Sequence, residues 1–243
     1  MTKDIIGFWG YVPKNIINEH KLNYPSATFL DLDIGYNKPN SNILPESYCK
    51  ILRNIMDNSI FYKERLIKIL APIGKDKCDG AFFLAQILKD KGFVVEEFSY
   101  DKCHKKGELL NFRICESNLP LRKKVELITS SITDEINIDT SPVKPRFGFW
   151  GVPPHDLSIL ELFPNDTHVF GWLRSVEAGY PSDIELEMSV NPDIPTVFFA
   201  QTFCAKNQLA KYLANKYKGL YIDIDGTPTN SAKAKIEAFL RLR

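Results

Sequence analysis

The 243-residue sequence lacks the features that mark secreted and membrane-spanning proteins. No segment approaches the roughly 20 consecutive apolar residues that a membrane-spanning helix needs. The N-terminal sequence MTKDIIGFWG runs directly into a strand-like segment, which leaves no room for a signal peptide. We therefore expect a cytoplasmic protein that makes no contact with a membrane.

An excess of charge of one sign is also missing. The 31 Lys and Arg residues balance 30 Asp and Glu residues, which gives a formal net charge of +1. Proteins that bind nucleic acids usually carry a basic stripe, whereas the basic clusters at 102–106 and 122–124 are short and lie among acidic residues. We expect no nucleic-acid partner. The hydrophobic fraction of 44% is instead typical of a globular protein with its own core.

Several common motifs are absent from the sequence. It contains no GxGxxG, no GxxxxGKS/T and no GxSxG, and so lacks the signatures of dinucleotide-binding folds, P-loop proteins and serine hydrolases. It also contains no CxxC pair. The cysteines number five, and an odd count in a cytosolic chain argues against a disulfide framework. Core packing, metal binding and catalysis remain as their possible roles.

The sequence does contain a repeat. GFWGYVP at 7–13 returns as GFWGVPP at 148–154, and short apolar runs alternate with helical patterns along the chain. Such alternation is typical of α/β domains with parallel sheets. The later strands repeat as well, and their predicted equivalent residues are Thr28 with His168 and Ala71 with Ala200.

This repeat predicts an α/β fold of two Rossmann-like lobes with mainly parallel sheets. The first lobe covers residues 1–140 and ends in a polar helical extension, and the second lobe covers residues 146–243. Residues 141–145 are predicted to form a linker between the lobes, because they contain two prolines and proline blocks regular structure. Open α/β sheets bind ligands at the carboxyl ends of their strands, so we expect a cleft between the lobes.

Seven residues are candidates for lining this cleft or for binding a substrate there. Glycine in the two repeated turns lets the backbone approach a ligand closely, whereas the neighbouring tryptophans either flank the cleft or fill the core. The candidates are Trp9, Gly10, Tyr11, Trp150, Gly151, His155 and Gln201. Two acidic pairs, Asp31 with Asp33 and Asp223 with Asp225, are either exposed strand ends or sites for a proton or a cation.

Three of the five cysteines lie at predicted helix starts. Cys49 falls in the first turn of a helix that opens at Pro45, while Cys78 and Cys204 immediately precede helices at equivalent positions of the two lobes. A helix N-terminus stabilises a thiolate, which is the form that binds iron or zinc. The alternative for each is core packing, since free cysteine is among the most buried residue types. Neither remaining cysteine, Cys103 or Cys115, has a predicted role.

Five segments, in the same order along the chain, resemble the 2-hydroxyacyl-CoA dehydratase and benzoyl-CoA reductase subunit family. GFWGYVP resembles the early strand and turn of that family, and the Cys78–Asp79 pair resembles its cysteine–aspartate pair. The other three segments are LPESYCKILRNIMD, which contains Cys49, FFAQTFCAKNQLAKYL, which contains Cys204, and the closing helix TPTNSAKAKIEAFLRLR.

The resemblance implies an iron–sulfur cluster of the [4Fe-4S] type, held between the lobes by Cys49, Cys78 and Cys204. It implies anaerobic one-electron chemistry on a small substrate, by a lyase that acts as a dehydratase or by a reductase. It also implies a dimer with an identical or homologous subunit and an ATP-dependent iron–sulfur activator protein as partner. Two alternatives remain: a non-catalytic, cluster-carrying subunit for electron transfer or scaffolding, and a metal-free two-lobed protein that binds a small molecule.

Overall fold

The computed structural model describes residues 3–35, 41–75 and 77–243. The chain forms two compact units, Met1–Asp101 and Lys102–Arg243. This boundary differs from the predicted one, because the 102–140 stretch belongs to the second unit. The backbone carbonyl of Cys115, for example, accepts a hydrogen bond from the backbone N–H of Val169 at 3.1 Å.

The first unit is a four-stranded sheet with helices in the connections between its strands. All of its strands are parallel, and their order is β2-β1-β3-β4. In chain order the elements are β1 (Ile5–Phe8), α1 (Lys14–Asn23), β2 (Thr28–Asp31), α2 (Lys50–Phe61), β3 (Leu66–Pro72), α3 (Asp79–Asp90) and β4 (Val95–Phe98).

The helices of this unit form where the apolar pattern predicts them. Leu52, Ile55 and Met56 of α2 are buried, which gives this helix an apolar stripe at helical spacing. After α3, Gly92 adopts a φ of +83°, and the N–H of Phe93 donates to the carbonyl of Leu88 at 3.1 Å. A glycine just after a helical pattern predicts a helix end, and the left-handed Gly92 confirms that prediction.

The second unit repeats the sheet of the first. Its four strands are all parallel and have the order β6-β5-β7-β8. The elements are α4 (Leu121–Ser130), β5 (Phe147–Trp150), a 3₁₀ helix (Leu157–Leu162), β6 (Thr167–Phe170), α5 (Trp172–Glu177), α6 (Ile184–Met188), β7 (Thr196–Ala200), α7 (Asn207–Lys216), β8 (Leu220–Asp223) and α8 (Asn230–Leu242).

The common strand order confirms the predicted α/β fold with two Rossmann-like lobes, but the register corrects the predicted residue matches. When Gly7 is matched to Gly148, Ile69 aligns with Thr196, because these residues pair with the two glycines. The second strand of each sheet shows the same two-residue shift. A shift of two keeps every side chain on the same face, so sequence alternation does not reveal it. The predicted pairs Thr28–His168 and Ala71–Ala200 are therefore wrong, and the structure matches Leu30 with His168 and Ala71 with Phe198.

Local structure departs from the sequence prediction after β6 and in the polar 101–140 stretch. The apolar run predicts a strand from His168 to Trp172. In the structure this strand ends at Phe170, because Gly171 takes a φ of +76° and turns the chain into α5. The polar stretch contains one helix, α4, among irregular segments. None of the helices in the described part of the chain has the length and apolar character that crossing a membrane requires.

Candidate functional site

Both sheets have a topological switch point between their two central strands. In the first sheet, the chain runs from β1 to its neighbour β2, and β3 then lies on the other side of β1. In the second sheet, β5, β6 and β7 have the same arrangement. The loops at the carboxyl ends of β1 and β3, and of β5 and β7, therefore diverge and leave a crevice where such sheets bind ligands. Each unit thus has its own candidate site, which we call the first and the second carboxyl edge.

At the first carboxyl edge, Gly10 is surrounded by charged side chains. Its φ is +56°, and its N–H donates a hydrogen bond to Oδ2 of Asp33 at 2.9 Å. A Cβ atom at this position would lie 2.9 Å from Nζ of Lys77, so the lysine side chain occupies the space that the glycine leaves. The glycine therefore allows a carboxylate and an ammonium group to approach the turn after β1 together.

Two groups at this edge hold their protons more strongly than usual. Burial, followed by the nearby charge of Asp33, raises the pKa of Asp31 well above its ordinary value. Burial beside Tyr100, whose ring centroid is 5.3 Å away, raises the pKa of Tyr11 to about 12. Tyr11 therefore stays protonated at neutral pH and offers a hydroxyl, not a negative charge.

Cys49 and Cys78 are the N-cap residues of α2 and α3, and neither side chain makes a capping hydrogen bond. Cys49 thus precedes its helix, because α2 begins at Lys50 and not at the predicted Pro45. The two helix starts are neighbours: a Cβ atom on Gly80 would lie 3.5 Å from Sγ of Cys78 and 3.6 Å from the hydroxyl oxygen of Tyr48. Cys78 is exposed, whereas Cys49 borders the hydrophobic core.

Cys204 does not occupy the helix start that the sequence predicts for it. Its N–H donates to the carbonyl of Gln201 and its carbonyl accepts from the N–H of Asn207, each at 3.0 Å, so Cys204 lies in a turn before α7. Counted along the matched third strands, it corresponds to Lys77 and lies one residue short of the position of Cys78. It nevertheless remains in the loop at the second carboxyl edge.

The second carboxyl edge is braced by α6. The indole N–H of Trp150 donates to the carbonyl of Glu187 at 2.7 Å. The Glu187 side chain is 4% exposed and forms an ion pair of 2.6 Å with Lys206, two residues after Cys204. These contacts were not predicted, because α6 has five residues and carries no long apolar pattern. They fix the loop that contains Cys204.

Two buried polar atoms near these edges make no hydrogen bond within the described residues. One is Oε1 of Gln201, whose residue is 2% exposed, and the other is Nε1 of Trp9, which is equally buried. An unsatisfied buried polar atom costs about 1–3 kcal/mol, so each is a position where a ligand atom would stabilise the protein.

Of the other predicted residues, Gly151 is buried in the turn after β5. His155 is half-buried beside Asp156, the N-cap of the 3₁₀ helix.

The structure does not assemble a complete metal centre from the predicted ligands. Across residues 3–35, 41–75 and 77–243, no three His, Cys, Asp or Glu side chains are grouped so that they could hold a metal ion. The two cysteines of the first unit begin adjacent helices, and the third belongs to the second unit. Comparison with known proteins adds no identification, since no family model and no curated protein matches the chain.

Proposed function

We propose that this protein holds an iron–sulfur cluster through Cys49, Cys78 and Cys204 and acts in one-electron reduction or dehydration of a small substrate. The observation that carries the proposal is the location of these cysteines. All three lie in loops on the carboxyl side of a parallel sheet, where α/β proteins bind their ligands.

The chemistry of the three side chains suits a soft metal. Thiolates select iron–sulfur clusters and zinc, and Cys49 and Cys78 are the residues that precede the first turns of α2 and α3. Cys115, by contrast, is fully buried, and burial followed by the charge of Glu177 raises its pKa well above the ordinary value. When bound, the cluster would supply an iron position open to substrate and a source of single electrons.

Residues around the first carboxyl edge would orient a substrate and handle its protons. The hydroxyl of Tyr11 donates or accepts a hydrogen bond, and the ammonium group of Lys77 attracts a negatively charged group. The raised pKa of Asp31 favours its protonated form, which can donate a proton. Trp9 is buried in the hydrophobic core of the first unit and therefore excludes water from the core side of the first carboxyl edge. None of these roles depends on the metal for its geometry.

Anaerobic reconstitution tests the proposal. The purified protein is incubated with iron and sulfide, desalted, and examined by iron and sulfide analysis and by electron paramagnetic resonance after reduction. A signal of a reduced cluster that is lost in Cys49→Ser, Cys78→Ser and Cys204→Ser would support the proposed ligands. The matched controls are Cys103→Ser and Cys115→Ser, which should keep the signal. Loss in Cys103→Ser but not in Cys78→Ser would contradict the ligand set.

A metal-free binding protein is the second candidate. It is favoured by the lack of a grouped metal site among the described residues and by the unpaired Oε1 atom of Gln201. A reconstituted protein that stays colourless and free of iron would select this candidate over the first. A ligand with a hydrogen-bond donor should then raise the melting temperature of the wild type by several degrees and that of Gln201→Leu by less, since the leucine cannot accept the bond.

A further inference from the structure

A histidine–aspartate pair lies in the second unit, in residues that the proposed cluster site does not use. Oδ2 of Asp183 accepts hydrogen bonds from both the backbone N–H of His104, at 2.8 Å, and the ring Nδ1 of the same residue, at 2.5 Å. Oδ1 of Asp183 accepts the N–H of Leu186 at 3.0 Å, so both oxygens of the carboxylate are held.

The carboxylate fixes which ring nitrogen carries the proton. Burial would raise the pKa of Asp183, but the hydrogen bonds from Leu186 and His104 outweigh it and hold the pKa below its ordinary value. An ionised carboxylate can only accept, and Nδ1 must therefore donate. In the neutral imidazole, Nε2 then carries the lone pair, which is the arrangement of a positioned general base.

The Nε2 atom is available for such a role. Within the described part of the chain it makes no hydrogen bond, and the His104 side chain is 25% exposed while that of Asp183 is 4% exposed. Because the carboxylate is buried and only the imidazole is partly exposed, this pair differs from an ion pair of two solvent-exposed side chains.

The surroundings of the ring are polar and ordered. Tyr180 lies edge-on to His104, with ring centroids 6.2 Å apart, and its hydroxyl donates to Glu108 at 2.5 Å. The ammonium group of Lys102 lies 4.9 Å from the centroid of the Tyr180 ring. The ring thus has one cation and two anionic carboxylates, Asp183 and Glu108, as charged neighbours.

We propose that His104 and Asp183 form a proton-transfer site in which Nε2 of His104 removes a proton from a bound hydroxyl group or water molecule. The proton moves to Nε2 and leaves an imidazolium that Asp183 stabilises. The deprotonated oxygen keeps the electron pair of the broken O–H bond as a nucleophile or leaving anion, near the positive charge of Lys102. Return of the proton to the product regenerates the neutral imidazole.

The first test uses the full-length protein labelled with ¹⁵N, which has four histidines. Long-range ¹H–¹⁵N spectra of the neutral imidazole of His104 should show the proton on Nδ1 and an unprotonated Nε2. Asp183→Asn should change this tautomer distribution without changing the spectra of the other three rings. A proton on Nε2 in the wild type would overturn the proposal, whether or not any variant folds.

The second test measures hydrolysis of p-nitrophenyl acetate, an activated ester that reports on an available imidazole base or nucleophile. His104→Gln should lower the rate by about 100-fold and Asp183→Asn by a similar or smaller factor, since positioned general bases contribute on this scale. His168→Gln is the matched control, because it makes the same substitution at a buried histidine of the same unit that lies outside the proposed sites. Equal rates for the wild type and His104→Gln would show that the pair serves only to anchor the chain. Neither test needs iron, so both outcomes are independent of the cluster.

Discussion

Asp31 is a residue whose burial costs stability and so sets a pH dependence. Its carboxyl group lies at the carboxyl end of β2, and its Oδ1 atom accepts the N–H of Asp33 at 3.2 Å. Because its folded-state pKa is raised above the unfolded value, the folded state binds the proton more tightly. Stability from this residue is therefore highest at low pH and falls as pH rises from the unfolded pKa toward the folded one.

Asp31→Asn should remove this dependence. The amide oxygen can still accept the bond from Asp33, and no charge has to be buried, so the variant should be more stable than the wild type at neutral pH. The difference should vanish below the unfolded pKa, where both states of Asp31 are protonated. Urea denaturation at a series of pH values measures it. A difference between the two proteins that grows as pH falls would contradict the assigned direction of the shift.

Gly148 in β5 is required for a different physical reason, the lack of space. A Cβ atom there would lie 2.4 Å from Oγ1 of Thr196 and 2.7 Å from Cε2 of Phe170, and both neighbours are buried. Gly148→Ala should therefore destabilise the protein by about 1–3 kcal/mol, as overpacking of a core does. Gly226→Ala is the control, because nothing lies within 4 Å of its Cβ position. Thermal denaturation that gives equal losses for both variants would contradict the packing described.

At the scale of elements, the irregular 112–117 segment depends on α5 for its position. The carboxylate of Glu177 accepts the N–H groups of Ile114 and Cys115 at 2.6 and 2.8 Å. The guanidinium of Arg174 lies 3.9 Å from the ring centroid of Phe112, which adds a cation–π contact. Charged hydrogen bonds of this kind are worth about 1.5–3 kcal/mol each, so the segment is held although it contains no helix or strand.

Glu177→Ala should release this segment and expose the thiol of Cys115, which is fully buried in the wild type. Titration with an aromatic disulfide reagent should show one additional rapidly reacting thiol per chain in the variant. Glu126→Ala, which removes an exposed glutamate on α4, should leave the count unchanged. A buried and unreactive Cys115 in Glu177→Ala would show that other contacts hold the segment.

Elements with a long apolar pattern could be predicted from the sequence, whereas short elements and loops could not. The strands of both sheets and helices such as α2 follow alternation or helical spacing. The five- and six-residue helices α6 and α5 depend instead on their first residues, the N-cap Asp183 and the positive φ of Gly171. The pairing of His104 with Asp183 joins residues 79 positions apart, and no local pattern reports it.

The cysteines of the candidate site also show that an apolar pattern predicts some positions and not others. The sequence indicates that Cys78 immediately precedes α3, because a cysteine–aspartate pair comes just before a clear apolar pattern, and the structure agrees. For Cys204 the apolar pattern does not show that two residues of turn separate it from α7, since a turn and a first helical turn have similar compositions. The placement of each cysteine at a carboxyl edge follows from strand order, which the repeat made predictable.

At the scale of the whole molecule, the unit boundary after Asp101 makes a direct prediction. The buried ammonium of Lys124 donates to the carbonyls of Asn165 and Thr167 at 3.0 and 2.6 Å, and so joins α4 to the start of β6. A fragment of residues 102–243 should therefore fold and unfold cooperatively, whereas residues 146–243 should not, because they leave these carbonyls and the edge of β6 uncovered. Circular dichroism during heating distinguishes the two outcomes. A cooperative transition for 146–243 would contradict this assignment of 102–140.

The proposal that cysteines from both units hold one cluster is tested most directly by the iron content of a matched pair of variants. Cys78 and Cys103 are both exposed, so replacing either with serine should perturb the fold equally little. After anaerobic reconstitution, the wild type and Cys103→Ser should each contain about four iron atoms per chain, and Cys78→Ser should contain far fewer, as expected for a thiolate-bound [4Fe-4S] cluster. Equal iron contents in the two variants, or a wild type without iron, would contradict the proposed cluster.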